Sequence, residues 1–458
     1  MDYGSRYLFT APWEPVLVRR GDALGLRALA DQFADAVAPQ LSNRVNDGRW
    51  VTILAWCLVR SHEVFHASGG RGVLTRSEAG NRYAWLRPLE LMWVARTIGL
   101  ASEDWQERSL AGQRRLSPWY QAGKVYANRF GMTEDQFRSY RQTGMYGGYR
   151  LAFRKWPGLT LRGDGWTPGL KTTELAKWLA KRLGAAQPFQ GDGDEDSLST
   201  RSAKLNRGKE DLWWFRQWET FDHKSKNFDE NTLPRRKTDN SVLPEAHLLK
   251  PLMFGDDPQG KVRLAVAKEV AKAKATSHAG ICEHLARAFG NSPTITLLPH
   301  FSRLADAGMA AMVLVAEALS KDSRIALADI AALPPAKPIC AELASAAKEW
   351  TKRAEMQLRH IDTAHHFALA FPSAQPMACL SALLQHHEAH GGGLRWFVLR
   401  NGRVEPRTPS RTGSSGYRFR LWSLCRLAAQ CGILHDMPAA LRANDEADEA
   451  ETFGGADE

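Results

Sequence analysis

Apolar residues recur at helical spacing along most of this chain of 458 residues. The pattern fills six segments: 22–38, 50–66, 88–98, 261–289, 303–320 and 341–358. Residues at i, i+3, i+4 and i+7 share one face of an α-helix, so each segment predicts a helix that buries one side. Strand patterns are confined to two stretches, which begin at Leu159 and Arg395 and bend around turns that contain glycine. We therefore predict a mainly α, multidomain protein with small β-hairpins.

The chain is strongly basic. Its formal net charge is +11, although the segment from Asn444 to the end holds seven acidic residues and no basic one. A basic body favours a polyanionic partner, because Lys and Arg side chains that neutralise phosphates release condensed counterions. Nucleic acid is the leading candidate for that partner. The alternative is that the surplus charge only keeps the protein in solution.

The best candidate for contact with nucleic acid lies at 130–184. A capping-box-like sequence at 133–136 begins a short helix, a Thr-Gly turn interrupts it, and a second short helix fits 145–155. A hairpin from Leu159 and an amphipathic helix that ends at Gly184 come next. Helix, turn, helix, hairpin, helix is the order of a winged-helix module, in which the second helix can enter a major groove while the hairpin touches the backbone.

Basic and aromatic side chains are concentrated in this region. Between Arg138 and Trp156 there are five Lys or Arg residues, five aromatic residues and no acid. Arginine contacts phosphates or guanine edges, and tyrosine donates to phosphate or stacks on an unpaired base. The alternative is a protein-interaction wedge or a solvated helix face. The predicted nucleic-acid-binding residues of this module are Arg138, Arg141, Tyr146, Tyr149, Arg150, Arg154, Lys155 and Arg162.

A second basic element follows the hairpin that begins at Arg395. Its segment from Ser414 carries Arg418, Arg420 and Arg426 on a predicted helix. Two cationic elements would let one chain bind a longer duplex, so we predict that Arg418 and Arg420 also contact nucleic acid. The alternative is a packing helix with a few surface arginines.

An HExxH motif offers a different chemistry. His62 and His66 lie one helical turn apart, and Glu63 is spaced to activate a metal-bound water. The motif resembles that of the zincin metallopeptidases. The resemblance implies His62 and His66 as zinc ligands, Glu63 as catalytic residue and Glu90 as third ligand. The long metzincin form is not matched, because Gly72 occupies its third ligand position, and no edge strand for a peptide is recognised upstream. The alternative places both histidines, hydrogen-bonded or solvated, at the polar end of a buried helix.

Other sequence motifs for chemistry are missing. The chain has no GxxxxGK[ST] phosphate loop, no GxGxxG after a strand and no GxSxG elbow. Its six cysteines have no CxxC spacing, so they predict neither a disulfide framework nor a cysteine zinc site. We expect no cofactor, with zinc only under the zincin interpretation.

Composition also predicts how the chain divides. A polar stretch after Gly184 has the composition of an exposed linker, and the acidic C-terminal segment that of a disordered tail. The predicted parts are a helical N-terminal domain at 1–128, a winged-helix-like module at 129–184, a linker at 185–210, a helical domain at 211–394, a hairpin plus basic helix at 395–440 and the acidic tail at 441–458.

Taken together, these patterns predict a non-catalytic recognition or adaptor subunit that binds double-stranded DNA in a DNA-transaction or foreign-DNA defence assembly. A protein partner would supply catalysis. No stretch approaches the roughly 20 apolar residues that span a bilayer, and no signal-peptide pattern opens the sequence, so we expect a cytoplasmic location without a membrane partner. The alternatives are a zincin-like hydrolase and an interaction scaffold, for which the tryptophan-rich segment at Trp213–Trp218 would be an exposed anchor.

Overall fold

The computed structural model describes residues 22–42, 44–67, 86, 89–90, 93–94, 97–98, 107–110, 144–183, 232–320, 324–353, 358–390, 395–407 and 417–441. Within these ranges the chain is mainly helical and has one small three-stranded sheet, which confirms the predicted fold class at this level. The chain forms two compact units. Unit 1 includes Gln40–Lys261 and Arg426–His435, and unit 2 includes Leu17–Pro39 and Val262–Cys425. The six-part division stays a prediction, and its linker at 185–210 lies outside the described residues.

The helices are α1 Arg27–Val37, α2 Gly48–Ala67, α3 Met145–Lys155, α4 Leu170–Arg182, α5 Ala246–Met253, α6 Pro258–Lys272, α7 His278–Ala288, α8 Pro293–Leu319, α9 Leu327–Ala332, α10 Ala336–Thr351, α11 Ile361–Leu369, α12 Pro376–His390 and α13 Leu421–Gln430. The strands are β1 Ile325–Ala326, β2 Phe397–Arg400 and β3 Arg403–Pro406, and a 3₁₀ turn occupies Leu161–Gly163. The described residues between 86 and 98 are also helical. Among the helices described, none combines the length and the apolar character needed to cross a bilayer.

Unit 1 is organised around α2, which packs along α4 and also contacts α3. The part of α2 from Val51 to Ser61 is buried on every side, as expected for a helix with apolar residues all round. Trp56 meets Trp93 edge to face, with ring centroids 5.9 Å apart. The indole of Trp50 donates to the carbonyl oxygen of Ser109 at 2.6 Å, so even this large side chain leaves no polar atom unsatisfied.

A buried polar network surrounds the first turn of α2. The Asp47 carboxylate accepts from the backbone N–H of Arg49 at 3.0 Å, from that of Arg235 at 2.7 Å and from the side-chain amide of Gln430 at 3.2 Å. Arg49 in turn forms an ion pair with Glu245, and both side chains are 0% exposed. These bonds join segments that are far apart in sequence, so the network fixes the tertiary arrangement of unit 1.

Unit 2 is centred on the 27-residue helix α8, which contacts α1, α7, α10 and α12. Ser292 caps its N-terminus by accepting from the N–H of Ile295 at 3.4 Å, and Pro293 fits the first helical turn. Phe301 of α8 stacks on Phe33 of α1 at 4.8 Å between ring centroids. Gly308 allows close approach, since a Cβ there would lie 3.0 Å from the side chains of both Leu24 and Phe367.

The small sheet has the strand order β1-β3-β2, with antiparallel pairing throughout. Asn401 and Gly402 turn the chain between β2 and β3, with φ of 51° and 70°. Positive φ at both positions is the conformation that an Asn-Gly pair favours in a two-residue hairpin turn. The hairpin predicted from Arg395 is therefore confirmed, while β1 is too short for its pattern to be recognised in the sequence.

Candidate nucleic-acid interface

Helix α3 has the bounds that the sequence predicts, and its aromatic residues form the buried face. Tyr146, Tyr149 and Phe153 are at most 2% exposed. The Tyr149 hydroxyl donates to the Asp47 carbonyl at 2.9 Å and accepts from the Asp47 N–H at 3.0 Å, and the Tyr146 hydroxyl donates to the carbonyl of Gly165. Burial raises the pKa of both phenols well above their usual range. The two tyrosines expected to contact nucleic acid are thus core residues of unit 1.

The N-terminus of α3 is capped from a distant part of the chain. The Glu90 carboxylate accepts hydrogen bonds from the backbone N–H of Met145 and, at 3.1 Å, from that of Tyr146. A negative charge is favourable at this end of a helix, where N–H groups have no partner within the helix. Glu90, the third zinc ligand implied by the zincin resemblance, therefore has a structural role here.

The remaining part of the HExxH motif lies on α2, which continues through His66. His62 is half-buried, and the side chains of Glu63 and His66 lie outside the described residues. Across the ranges that the structure covers, no three His, Cys, Asp or Glu side chains come together in a way that could hold a metal. The zinc site stays a prediction.

The connection between α3 and α4 is a compact loop closed by a single β-bridge between Thr160 and Pro168. It replaces the β-hairpin that the sequence predicts from Leu159. Arg162 and Gly163 have left-handed backbone, with φ of 53° and 66°, and curl the chain into the 3₁₀ turn. Pairing ends after one bridge because this curl turns the backbone groups away from a partner strand.

Side-chain hydrogen bonds fix this loop on α3. Thr160 Oγ1 donates to the Phe153 carbonyl at 2.7 Å and accepts from the Gly165 N–H at 3.1 Å. Asp164 Oδ1 accepts from the backbone N–H groups of Trp166 and Thr167, at 2.7 and 2.9 Å. Trp166 is buried, with its ring centroid 4.8 Å from that of Tyr146. The loop is therefore a rigid extension of α3.

Cationic side chains lie on the exposed side of α3 and of the loop that follows it. Arg154 and Lys155 are exposed on the last turn of α3, and Arg162 is exposed in the loop. A Cβ on Gly163 would lie 2.7 Å from the carbonyl oxygen of Arg154, so the loop tip lies against that turn. We call Arg154, Lys155 and Arg162 the basic surface. Arg150, one turn earlier, is half-buried, and desolvation lowers the pKa of its guanidinium.

Helix α4 adds cations that the sequence analysis missed. Lys177, Lys181 and Arg182 are all exposed. Lys181 and Arg182 follow Lys177 by four and five residues, on a helix that the sequence already predicts to be amphipathic. This spacing on one side of a helix was the signal that could have identified them. The acids of 144–183 are Asp164, whose carboxylate binds backbone N–H groups, and Glu174, which pairs with Lys171 at 2.8 Å. The segment therefore keeps a strong positive charge.

The second predicted basic element is neutralised within unit 2. Arg420 forms ion pairs with Asp35 and, at 3.4 Å, with Asp31, while Arg418 lies 3.8 Å from Asp306. Every residue of α13 is buried, so this helix presents no cationic face. This geometry agrees with the alternative interpretation, in which the element is a packing helix. Arg138, Arg141 and the tryptophan-rich segment at Trp213–Trp218 lie outside the described residues.

The basic surface thus lies on α3 and a rigid loop of unit 1, and α4 adds exposed cations in the same unit. Its guanidinium and ammonium groups are exposed to water, and such groups favour binding of an anionic polymer over binding of a small ligand. Comparison of the chain with protein-family models, with curated proteins and with solved structures finds no match.

Proposed function

We propose that this chain binds double-stranded DNA through the basic surface. The observation that carries the proposal is the set of exposed cations on α3, the loop and α4, in a segment that has eight Lys and Arg residues against two acids. Each cation that meets a phosphate releases counterions from the duplex, so affinity grows with the number of such contacts. A rigid frame adds to this, because little conformational freedom is lost on binding.

In this proposal the region 129–184 acts as a winged-helix-like module. Helix α3 approaches the duplex with Arg154 and Lys155, and the loop serves as a short wing that brings Arg162 to the duplex. Because the tyrosines of α3 are buried, recognition depends on arginine and lysine contacts to phosphates and to base edges.

We further propose that the chain is a recognition or adaptor subunit, in a cytoplasmic DNA-transaction or foreign-DNA defence assembly. The sequence contains no phosphate-loop motif for a motor. A protein partner would then supply the catalytic step, while this chain contributes affinity for the duplex.

Reversing two charges of the basic surface tests the proposal. We expect Arg154→Glu with Lys155→Glu to weaken binding of a labelled random-sequence duplex about ten- to a hundredfold, and to lower the slope of log affinity against log salt by about 2. Both side chains are exposed, so the fold should tolerate the change. Fluorescence anisotropy at several salt concentrations measures affinity and slope together.

The matched control is Lys337→Glu with Lys348→Glu, which makes the same change of charge on exposed positions of α10 in unit 2. This variant should keep most of the affinity if binding occurs at the basic surface. Equal losses in the two variants would show a general effect of net charge, and binding that does not depend on salt would contradict the proposal.

A further inference from the structure

The tip of the loop between α3 and α4 exposes an apolar side chain. Leu161 is 55% exposed, whereas the other large apolar residues of the loop, Leu159 and Trp166, are at most 3% exposed. The next residue, Arg162, is exposed and has a φ of 53°, in a region that side chains other than glycine rarely adopt. The loop therefore presents a leucine and an arginine side by side at its tip.

This tip is held firmly. The Leu161 N–H donates to the Thr167 carbonyl at 2.9 Å, and the Asp164 N–H donates to the Leu161 carbonyl at 3.1 Å. The same turn lies against the last residues of α3, as the close approach of Gly163 to Arg154 shows. A side chain on so rigid a support can enter a partner at a small entropic cost.

The charge around the tip indicates what it could enter. Arg162 directly follows the exposed leucine, and the last turn of α3, against which the loop tip lies, carries the exposed Arg154 and Lys155. Proteins that bind the minor groove of DNA use this combination: an apolar wedge enters between two base pairs, and an adjacent arginine is attracted by the negative potential of the groove. A lipid surface is favoured less, since helices that lie on membranes present a broad apolar face, whereas the exposed sides of α3 and α4 carry mostly cations.

We propose that Leu161 inserts between base pairs from the minor groove, with Arg162 in the groove beside it, so that the bound duplex is bent. The inference rests on the proposed binding of double-stranded DNA. Wedge residues of this kind unstack one base step and bend a duplex by roughly 20–90°. The single leucine at the tip fits one such step.

Energy transfer between dyes at the two ends of a short duplex tests this inference. We expect full-length protein at saturation to increase the transfer, because bending brings the ends closer together. Leu161→Ser should lose most of this increase and bind about tenfold more weakly. The matched control is Leu170→Ser, which removes a leucine that is 70% exposed at the start of α4, and it should bend the duplex as the unchanged chain does.

The possible outcomes separate the two proposals. Binding without bending, or equal bending by the Leu161→Ser variant, would overturn the wedge and leave the DNA-binding function standing. Absence of binding at low salt would overturn both. In a parallel arm, the chain is sedimented with vesicles of phosphatidylcholine and phosphatidylserine. Binding to them that depends on Leu161, without bending of DNA, would assign the leucine to a membrane instead.

Discussion

We expect Glu245→Ala to lower the free energy of unfolding by about 3–5 kcal/mol, because it leaves the guanidinium of Arg49 buried without its counterion. Arg49 Nε lies 2.6 Å from one carboxylate oxygen of Glu245, and its Nη2 donates to the other at 3.0 Å. Both side chains are fully buried, and desolvation lowers the pKa of Arg49. The bond joins the first turn of α2 to the residue before α5, so its loss also loosens the contact between two segments.

Urea unfolding followed by circular dichroism measures this loss, and hydrogen exchange locates it in unit 1. The matched control is Glu174→Ala, which removes a half-exposed partner of Lys171 at a similar distance, 2.8 Å. Exposed pairs contribute at most about 1 kcal/mol, so the control should remain close to the unchanged protein. A loss for Glu245→Ala no larger than that of the control would show that water reaches Arg49.

A double variant separates charge from packing at the same site. Replacing Arg49 with methionine and Glu245 with leucine removes both charges and keeps most of the volume. We expect it to recover most of the stability lost in Glu245→Ala, because buried ion pairs rarely stabilise a fold more than apolar side chains of similar size do. Failure to recover would indicate that the attraction between the Arg49 guanidinium and the Asp47 carboxylate also stabilises the unit.

Local sequence patterns predicted most of the helices and one turn, although the segment 261–289, expected to be one helix, forms the two helices α6 and α7. The bounds of α3 follow from the spacing of Tyr146, Tyr149 and Phe153 on one face, and the β2–β3 turn follows from Asn401 and Gly402. Both features depend on neighbours in the sequence, through side-chain periodicity and the backbone freedom of single residues.

Long-range contacts determined what the patterns could not predict. The hydroxyl groups of the tyrosines of α3 are able to bind nucleic acid by hydrogen bonds. In the structure, however, they donate to the carbonyls of Asp47 and Gly165 inside the unit, and the sequence near α3 does not show this. In the same way, nothing near Arg420 in sequence shows that Asp31 and Asp35 neutralise it. A charged or aromatic residue is visible in the sequence, but its exposure is decided by residues that lie between 19 and 389 positions away in these examples.

In the loop after α3, too, contacts with other residues override the structure that the local sequence pattern predicts. Alternating residues around Gly163 and Gly165 predict a hairpin, yet the structure has one bridge and a 3₁₀ turn. The bond from Thr160 to the Phe153 carbonyl and the packing of Trp166 on the aromatic face of α3 outweigh the pairing of two short strands. Exposure of Leu161, on which the proposed wedge depends, is a result of that packing.

Buried histidines make the stability of unit 2 dependent on pH. Burial, together with the nearby charge of Arg418, lowers the pKa of His278 from 6.5 to about 3. Phe419 stacks on the imidazole at 5.6 Å, and the thiol of Cys282 lies 3.8 Å from Nδ1. His386 and His387, whose rings contact the carbonyls of Leu24 and Ala23, have their pKa lowered by burial as well. All three imidazoles are neutral in the folded chain at pH 7.

Acid therefore favours the unfolded chain, in which His278 binds a proton at its ordinary pKa. Above about pH 6.5, His278 is neutral in both states and does not change the free energy of unfolding. As the pH falls from there towards 3, the free energy of unfolding decreases by about 1.4 kcal/mol per pH unit. At pH 4.5 the loss from this one residue is about 2.7 kcal/mol. His278→Phe keeps an aromatic ring against Phe419 and removes the titrating group, so it should be spared that loss.

Urea unfolding at pH 7.5 and pH 4.5 checks this for both proteins, and the difference between the two pH values is the quantity to compare. We expect this difference to be smaller in His278→Phe by about 2.7 kcal/mol, even if the variant is less stable at pH 7.5. His366→Phe, which replaces an exposed imidazole on α11 of the same unit, controls for the added aromatic ring. An equal pH dependence in the unchanged protein and His278→Phe would mean that His278 gains its proton without unfolding, with solvent entering between α7 and the residues before α13.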